Sequence, residues 1–156
     1  MRKINPEYVN AVRADVNTCP YFTLLSMQLM EFDVGRSLLE IAVQTKHLQP
    51  FGVVHGGVFS SIIDAAAFWA LFGEIPEETG MTTVDLKLNY LAPAKDGTLI
   101  ARGSKIKLGK TLGLAEAEVK DQDGRVLAHG TSTLIILPDS PLITEQPLPS
   151  KFIETV

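Results

Sequence analysis

Gln49-Pro50-Phe51-Gly52-Val53-Val54-His55-Gly56-Gly57-Val58-Phe59-Ser60-Ser61-Ile62-Ile63-Asp64-Ala65-Ala66-Ala67-Phe68-Trp69-Ala70 is the stretch on which the reading of this chain turns. Two glycines lead into an apolar run, and from Val58 to Phe72 the only polar side chains are Ser60, Ser61 and Asp64. The run predicts a helix over roughly residues 56–73, closed near Gly73. A helix that is apolar on nearly every side belongs in a core. A carboxylate in such a core is costly unless it is paired or used. The first N–H groups of a helix have no partner within it, and small residues there leave them open to an oxyanion or a polarised carbonyl. An electrophile holder and a carboxylate are two parts of an acyl-transfer site.

The flanks supply a sheet. Residues 6–17 read as a short helix with Pro6 in its first turn. Residues 21–33 read as an apolar strand entered through a loop, Gly35-Arg36 as a turn, and 37–44 as a second strand in which Leu39, Ile41 and Val43 alternate with their neighbours. After Gly80 the period is two: Thr82, Val84, Leu86, Leu88 and Tyr90 fall on one face, Thr83, Asp85, Lys87 and Asn89 on the other. Residues 98–108, 111–120 and 125–137 read as three more strands, joined at Gly109-Lys110 and at an Asp-Gly hairpin, Asp123-Gly124. The whole is an α+β arrangement, one antiparallel sheet wrapped around one apolar helix. It forms a single domain over residues 1–156, with residues 1–20 as an N-terminal helix and loop and the Pro-containing residues 138–156 as an irregular tail. A small sheet has too little face to bury such a helix on all sides, which points to an oligomer.

Composition narrows the function. The chain has 156 residues and a net charge of −4, which argues against general nucleic-acid binding. Cys19 is its single cysteine, so there is no intrachain disulfide framework. The 58–72 run is too short for a membrane span, and no apolar signal core opens the chain. A cytoplasmic protein is expected. Three separated histidines and one cysteine give no metal-ligand spacing, and no cofactor is expected.

The Pro50-x-Gly52-x-x-His55-Gly56-Gly57 loop, Asp64 on the helix and the strand Thr83-Val84-Asp85-Leu86-Lys87-Leu88-Asn89-Tyr90-Leu91-Ala92-Pro93-Ala94 together resemble the hotdog-fold acyl-CoA thioesterases. The nearest likeness is to the PaaI-like, phenylacetate-pathway group and its 4-hydroxybenzoyl-CoA thioesterase relatives. Gly109-Lys110-Thr111 and His129-Gly130-Thr131 fit the same pattern, and the likeness spans about residues 20–137. The resemblance implies a hotdog fold and no cofactor. It implies that the Gly56 N–H polarises the thioester carbonyl, that Asp64 is nucleophile or general base, and that Thr83 helps place the water. Gln49 falls where many relatives carry an asparagine that orients the thioester or the water. His55 is implied to be supporting, its ring fixing the loop alongside Gly57. The implied sites lie between two subunits.

Spacing leads to the same assembly independently. Gly56 and Asp64 are eight residues apart, about 12 Å along a helix axis. A reacting carbonyl needs its oxygen at one group and its carbon within about 3–3.5 Å of the other. A homodimer in which Gly56 and Asp64 come from different chains meets that need, and a homotetramer is its expected assembly. The acyl group is expected against Phe51, Val54, Ile63, Ala67 and Phe68. Between residues 86 and 110 lie Lys87, Lys95, Arg102, Lys105, Lys107 and Lys110 against Asp96 alone, a basic stretch suited to the phosphates of coenzyme A. Lys107, Lys110 and Thr111 are the residues expected to hold it. Phenylacetyl, hydroxybenzoyl and medium-chain acyl groups all fit. Two other functions stay open on the same fold: an acyl-CoA-binding module without hydrolysis, and a dehydratase or hydratase.

Overall fold

The computed structural model of the chain describes residues 2–155. In order along it come β1 (Arg2–Ile4), α1 (Pro6–Val16), α2 (Pro20–Leu25), β2 (Met27–Asp33), β3 (Arg36–Ala42), a single 3-10 turn (Thr45–His47), α3 (Gly56–Phe72), β4 (Gly80–Tyr90), β5 (Thr98–Leu108), β6 (Leu112–Lys120), β7 (Val126–Leu137) and β8 (Phe152–Glu154). Six strands form one antiparallel sheet in the order β2-β3-β5-β6-β7-β4, and α3 lies in its hollow. This is the expected α+β arrangement of one sheet around one helix.

Small residues let α3 sink into the sheet. Ala101, Ala115 and Ala117 are fully buried beneath it. At Gly103 a Cβ would stand 2.1 Å from the Ala66 carbonyl oxygen, so only glycine allows β5 and α3 to come this close. The buried Ser37 hydroxyl donates to that same Ala66 oxygen at 2.6 Å. Ten residues of α3 are buried, among them Ile62, Ile63, Ala66, Ala67 and Trp69. Ser60, Ser61, Asp64, Ala65 and Phe68 are only half-buried and recur at helical spacing, so they make one stripe that the sheet does not cover.

Two segments differ from the pattern expected of them. The apolar run 21–33 is not one strand: Pro20–Leu25 is helical, and the strand begins at Met27. Pro20 pre-sets the first turn, Phe22 is buried, and Ser26 takes a left-handed conformation (φ 51°) that turns the chain into β2. A continuous apolar run carries no period, so its sequence does not separate helix from strand. The tail carries β8, which pairs with β1, and Lys151 just before it is fully buried.

Strand β4 holds a bulge. Its register against β7 shifts between Thr83 and Asp85, leaving Val84 as the extra, exposed residue. The alternation therefore changes phase there. Thr83 turns to the helix side, as Leu86 and Leu88 do, whereas strict alternation sets it on the opposite face.

Candidate active site

Two features of the His55-Gly56-Gly57 turn follow from its geometry. His55 is the N-cap of α3, and its Nδ1 accepts the Gly57 N–H at 2.7 Å. That bond makes Nδ1 an acceptor and occupies the ring as a cap. A Cβ at Gly57 would sit 2.9 Å from the same Nδ1, so the second glycine is what lets the ring close over the turn. The His55 N–H in turn donates to the His47 carbonyl at 2.8 Å. His47 is buried, with Nδ1 accepting from Gln44 N–H and Nε2 donating to the Leu25 carbonyl. Both histidines thus hold backbone. His129 meets Glu116 at 2.9 Å across β6 and β7. Among the described residues no group of three metal-binding side chains converges.

The Gly56 N–H is the first amide of α3, where the helix provides no acceptor. It opens beside a cavity of about 410 Å³ lined by Val53, Val54, Phe59, Tyr90 and Ala92 among others. A Cβ at Gly56 would press on the Tyr90 ring at 3.1 Å. The helix start thus lies close against the Tyr90 side chain, with an amide of the kind that can hold an anion or carbonyl oxygen.

Asp64 stands two turns further along. Its Oδ1 accepts from the Thr83 hydroxyl at 2.7 Å and from the Ser132 hydroxyl at 3.3 Å. Thr83 reaches it because of the β4 bulge, and Ser132 because it lies on the helix side of β7, fully buried. Two hydroxyl donors fix one oxygen of the carboxylate. No hydrogen bond within the described residues engages Oδ2. Asp64 and Thr83 line a cavity of about 430 Å³ whose other walls include Tyr21, Phe22, Met27, Phe68 and Trp69.

The residues expected at the site thus fall into separate groups within one chain. Asp64, Thr83 and Phe68 share one cavity, Gly56 and Val54 the other. Ile63 and Ala67 are fully buried against the sheet and line neither. Gln49 sits in a tight turn, its side-chain oxygen accepting the Phe51 N–H, and Phe51 projects into solvent at 91 % exposure. Lys107, Lys110 and Thr111 are exposed at the β5–β6 turn and border neither cavity. Within the same basic stretch Lys105 pairs with Glu74. Trp69, which the sequence sets with Phe68 as core or acyl-pocket wall, lines the Asp64 cavity, whereas Ser132, Tyr21 and Phe22 are additions that the sequence pattern did not single out; only the β7 register places Ser132 at Asp64.

A family model of the thioesterase superfamily matches residues 51–128, the stretch that carries α3 and most of the sheet. The chain belongs to the thioesterase superfamily. Acyl-coenzyme A thioesterase 13 of Mus musculus is 29 % identical over 98 residues, 62 % of this chain and 69 % of that one. The 1,4-dihydroxy-2-naphthoyl-CoA hydrolase of Listeria monocytogenes is 23 % identical over 112 residues, 72 % of this chain and 91 % of its own. The solved structure of PaaI from the phenylacetic acid degradation operon of E. coli superposes with a TM-score of 0.77 at 18 % identity, covering 85 % of this chain and 95 % of that one. The fold is therefore the hotdog fold of PaaI, and the class of reaction is thioester hydrolysis.

Proposed function

We propose that this protein hydrolyses an aromatic or medium-chain acyl-CoA in a site shared by two copies of the chain, with Gly56 from one and Asp64 from the other. The observation that carries the reading is the pairing of an anchored carboxylate with an aromatic cavity. Asp64 is held through Oδ1 and leaves Oδ2 to act, beside Phe22, Phe68 and Trp69. Flat or medium-length apolar groups suit such walls. The mouse and Listeria relatives, by their names, act on acyl-CoA and on an aryl-CoA.

The chemistry needs few parts. The Gly56 N–H at the positive end of α3 stabilises negative charge as it develops on the thioester oxygen. Asp64 either takes a proton from water as the water oxygen attacks the carbonyl carbon, or attacks that carbon itself through Oδ2 to give a mixed anhydride that water then opens. In both cases the carbon–sulfur bond breaks, coenzyme A leaves as thiolate and is protonated, and the acyl group departs as a carboxylic acid. Thr83 and Ser132 orient the carboxylate in either route. Lys107, Lys110 and Thr111 are assigned to the phosphates, at the exposed end of β5 and β6 where a long anionic handle has room.

Pairing of two chains is supported by the edge of the sheet. Strand β4 ends the strand order, is 11 residues long and leaves Val84, Tyr90 and the adjacent Leu91 more than half exposed. A long free edge of this kind is a template for another strand. The cytoplasm is the assigned compartment, consistent with the unpaired Cys19. Among the described residues no helix is long and apolar enough to cross a membrane.

A panel of acyl-CoA thioesters, with free thiol followed by absorbance, tests the function. Thiol release from phenylacetyl-, hydroxybenzoyl- or octanoyl-CoA is expected. Binding of all of them with no thiol released would instead mark a binding module, and water addition to an enoyl-CoA would mark a hydratase.

A further inference from the structure

The cavity at Asp64 runs along α3. Ser60 and Ser61 stand at one end, Asp64 in the middle, and Phe68 and Trp69 at the other, a span of about 12 Å. Its roof is α2. That helix is fixed at both ends by bonds outside the cavity. Before it, the Asn17 side chain accepts the Leu29 N–H at 2.7 Å and donates to the Leu29 carbonyl at 3.1 Å. After it, the Ser26 hydroxyl oxygen accepts from Gln44 and Lys46.

Between these ends one side chain ties the roof to the floor. The Ser61 hydroxyl donates to the Gly57 carbonyl at 2.8 Å, so its oxygen is left to accept, and the Tyr21 phenol donates to it at 2.6 Å. This is the one side-chain hydrogen bond from α2 to α3 among the described residues. Ser61 precedes Asp64 by three residues on the same helix face, so the tie lies about one turn from the carboxylate. Tyr21 is 53 % exposed while its hydroxyl is engaged, which sets the residue at the rim of the cavity rather than in its depth.

We propose that Tyr21 is a specificity-determining residue: tied to Ser61, it roofs the cavity at Asp64 and limits the size of the acyl group that lies beside the carboxylate. This rests on the reading that the acyl group occupies this cavity. Groups that fit beneath the tie leave it intact. Larger groups must break it, and so lose the worth of one hydroxyl–hydroxyl bond in their kcat/KM, about fivefold. Nothing in the chemistry at Asp64 requires Tyr21, so its effect is a difference between substrates.

Butyryl-, hexanoyl-, octanoyl- and decanoyl-CoA form the test series. Tyr21→Phe keeps the ring and removes the donor; Ser61→Ala removes the acceptor from the other side. Each should raise the ratio of kcat/KM for decanoyl-CoA to that for butyryl-CoA about fivefold, and the double variant should raise it no further, because both changes cut the same bond. An equal factor at every chain length, or additive effects of the two changes, overturns the proposal. Trp69 is the only tryptophan of the chain and lines the cavity, so its emission reports occupancy without turnover. If the unaltered protein releases thiol from no thioester, the hydrolase reading fails and the emission titration decides the roof: tighter binding of decanoate relative to butyrate in Tyr21→Phe supports it, and an unchanged ratio overturns it.

Discussion

At the scale of single residues, Asp64 is the group whose surroundings say most. Burying a carboxylate on an apolar helix without donors is unfavourable by several kcal/mol. Here the Thr83 and Ser132 hydroxyls supply donors to one oxygen, and no hydrogen bond among the described residues engages the other. Asp64→Asn keeps the shape and most of the bonding while removing the charge. It should lower turnover by about a hundredfold or more, the scale of losing an acid–base group, with the fold and assembly retained. Steady-state rates on the best thioester of the panel, with circular dichroism as the fold control, measure this; a rate within twofold of the unaltered protein removes Asp64 from the mechanism. Asp64 can be singled out in sequence as the lone charge in an apolar run. Ser132 cannot, since a serine on a strand is unremarkable until the β7 register sets it opposite the helix. His55 was legible as a loop-fixing group, and its bond to Gly57 gives that role an atom: Nδ1.

At the scale of elements, local pattern and tertiary context divide the outcome. The long helix and the alternating strands could be read because their periods extend over many residues. The bulge at Val84 could not, because it inserts one residue without changing composition, and it is the bulge that carries Thr83 to Asp64. Nor could the three-residue pair β1 and β8, whose partners are about 150 residues apart. That pairing brings Lys151 under the C-terminal end of α3, where its ammonium donates to the Phe72 and Ile75 carbonyls at 2.6 and 2.8 Å and lies 3.9 Å from the centre of the Phe72 ring. Burial lowers its pKa to about 7, with Glu77 acting in the opposite sense. The sign follows. Below about pH 7 both the folded and unfolded chains hold this proton, and the full cost of the buried charge is present. From about pH 7 to the ordinary lysine range near 10 the unfolded chain holds the extra proton, so stability rises with pH, by at most about 1.4 kcal/mol per pH unit. Tyr8, raised to about 12 mainly by burial, opposes this only above about pH 10, where unfolded tyrosine ionises. Urea unfolding at pH 7, 8 and 9 should give a rising midpoint, and Lys151→Met, which has no proton to lose, should flatten the rise. The same slope in both proteins would show that another group sets it.

At the scale of the whole molecule, the proposed reaction asks two groups about 12 Å apart on one helix to serve one carbonyl. Within a chain they open onto different cavities, and the uncovered stripe of α3 and the free edge of β4 leave room for a second copy. Complementation tests the answer directly. Gly56→Pro removes the N–H at the first position of the helix, a place where proline is well tolerated. His55 already has the extended conformation that a residue before proline requires (φ −62°, ψ 139°). The added ring atoms press on the tip of the Tyr90 side chain at 3.1 Å, which a small shift of that side chain relieves. Alone, neither Gly56→Pro nor Asp64→Asn should hydrolyse, because every site in either assembly lacks one group. Unfolded together in equal amounts and refolded, half of the dimers pair the two variants at random. Each such dimer holds one doubly defective site and one that joins an intact Gly56 to an intact Asp64, so about a quarter of the sites of the unaltered protein should return. Size-exclusion chromatography of parents and mixture establishes that all three assemble. Recovery near a quarter places the two groups in different chains. A mixture that assembles properly and stays inactive would require each chain to carry a complete site of its own, and the carbonyl would then need another donor nearer to Asp64 than Gly56.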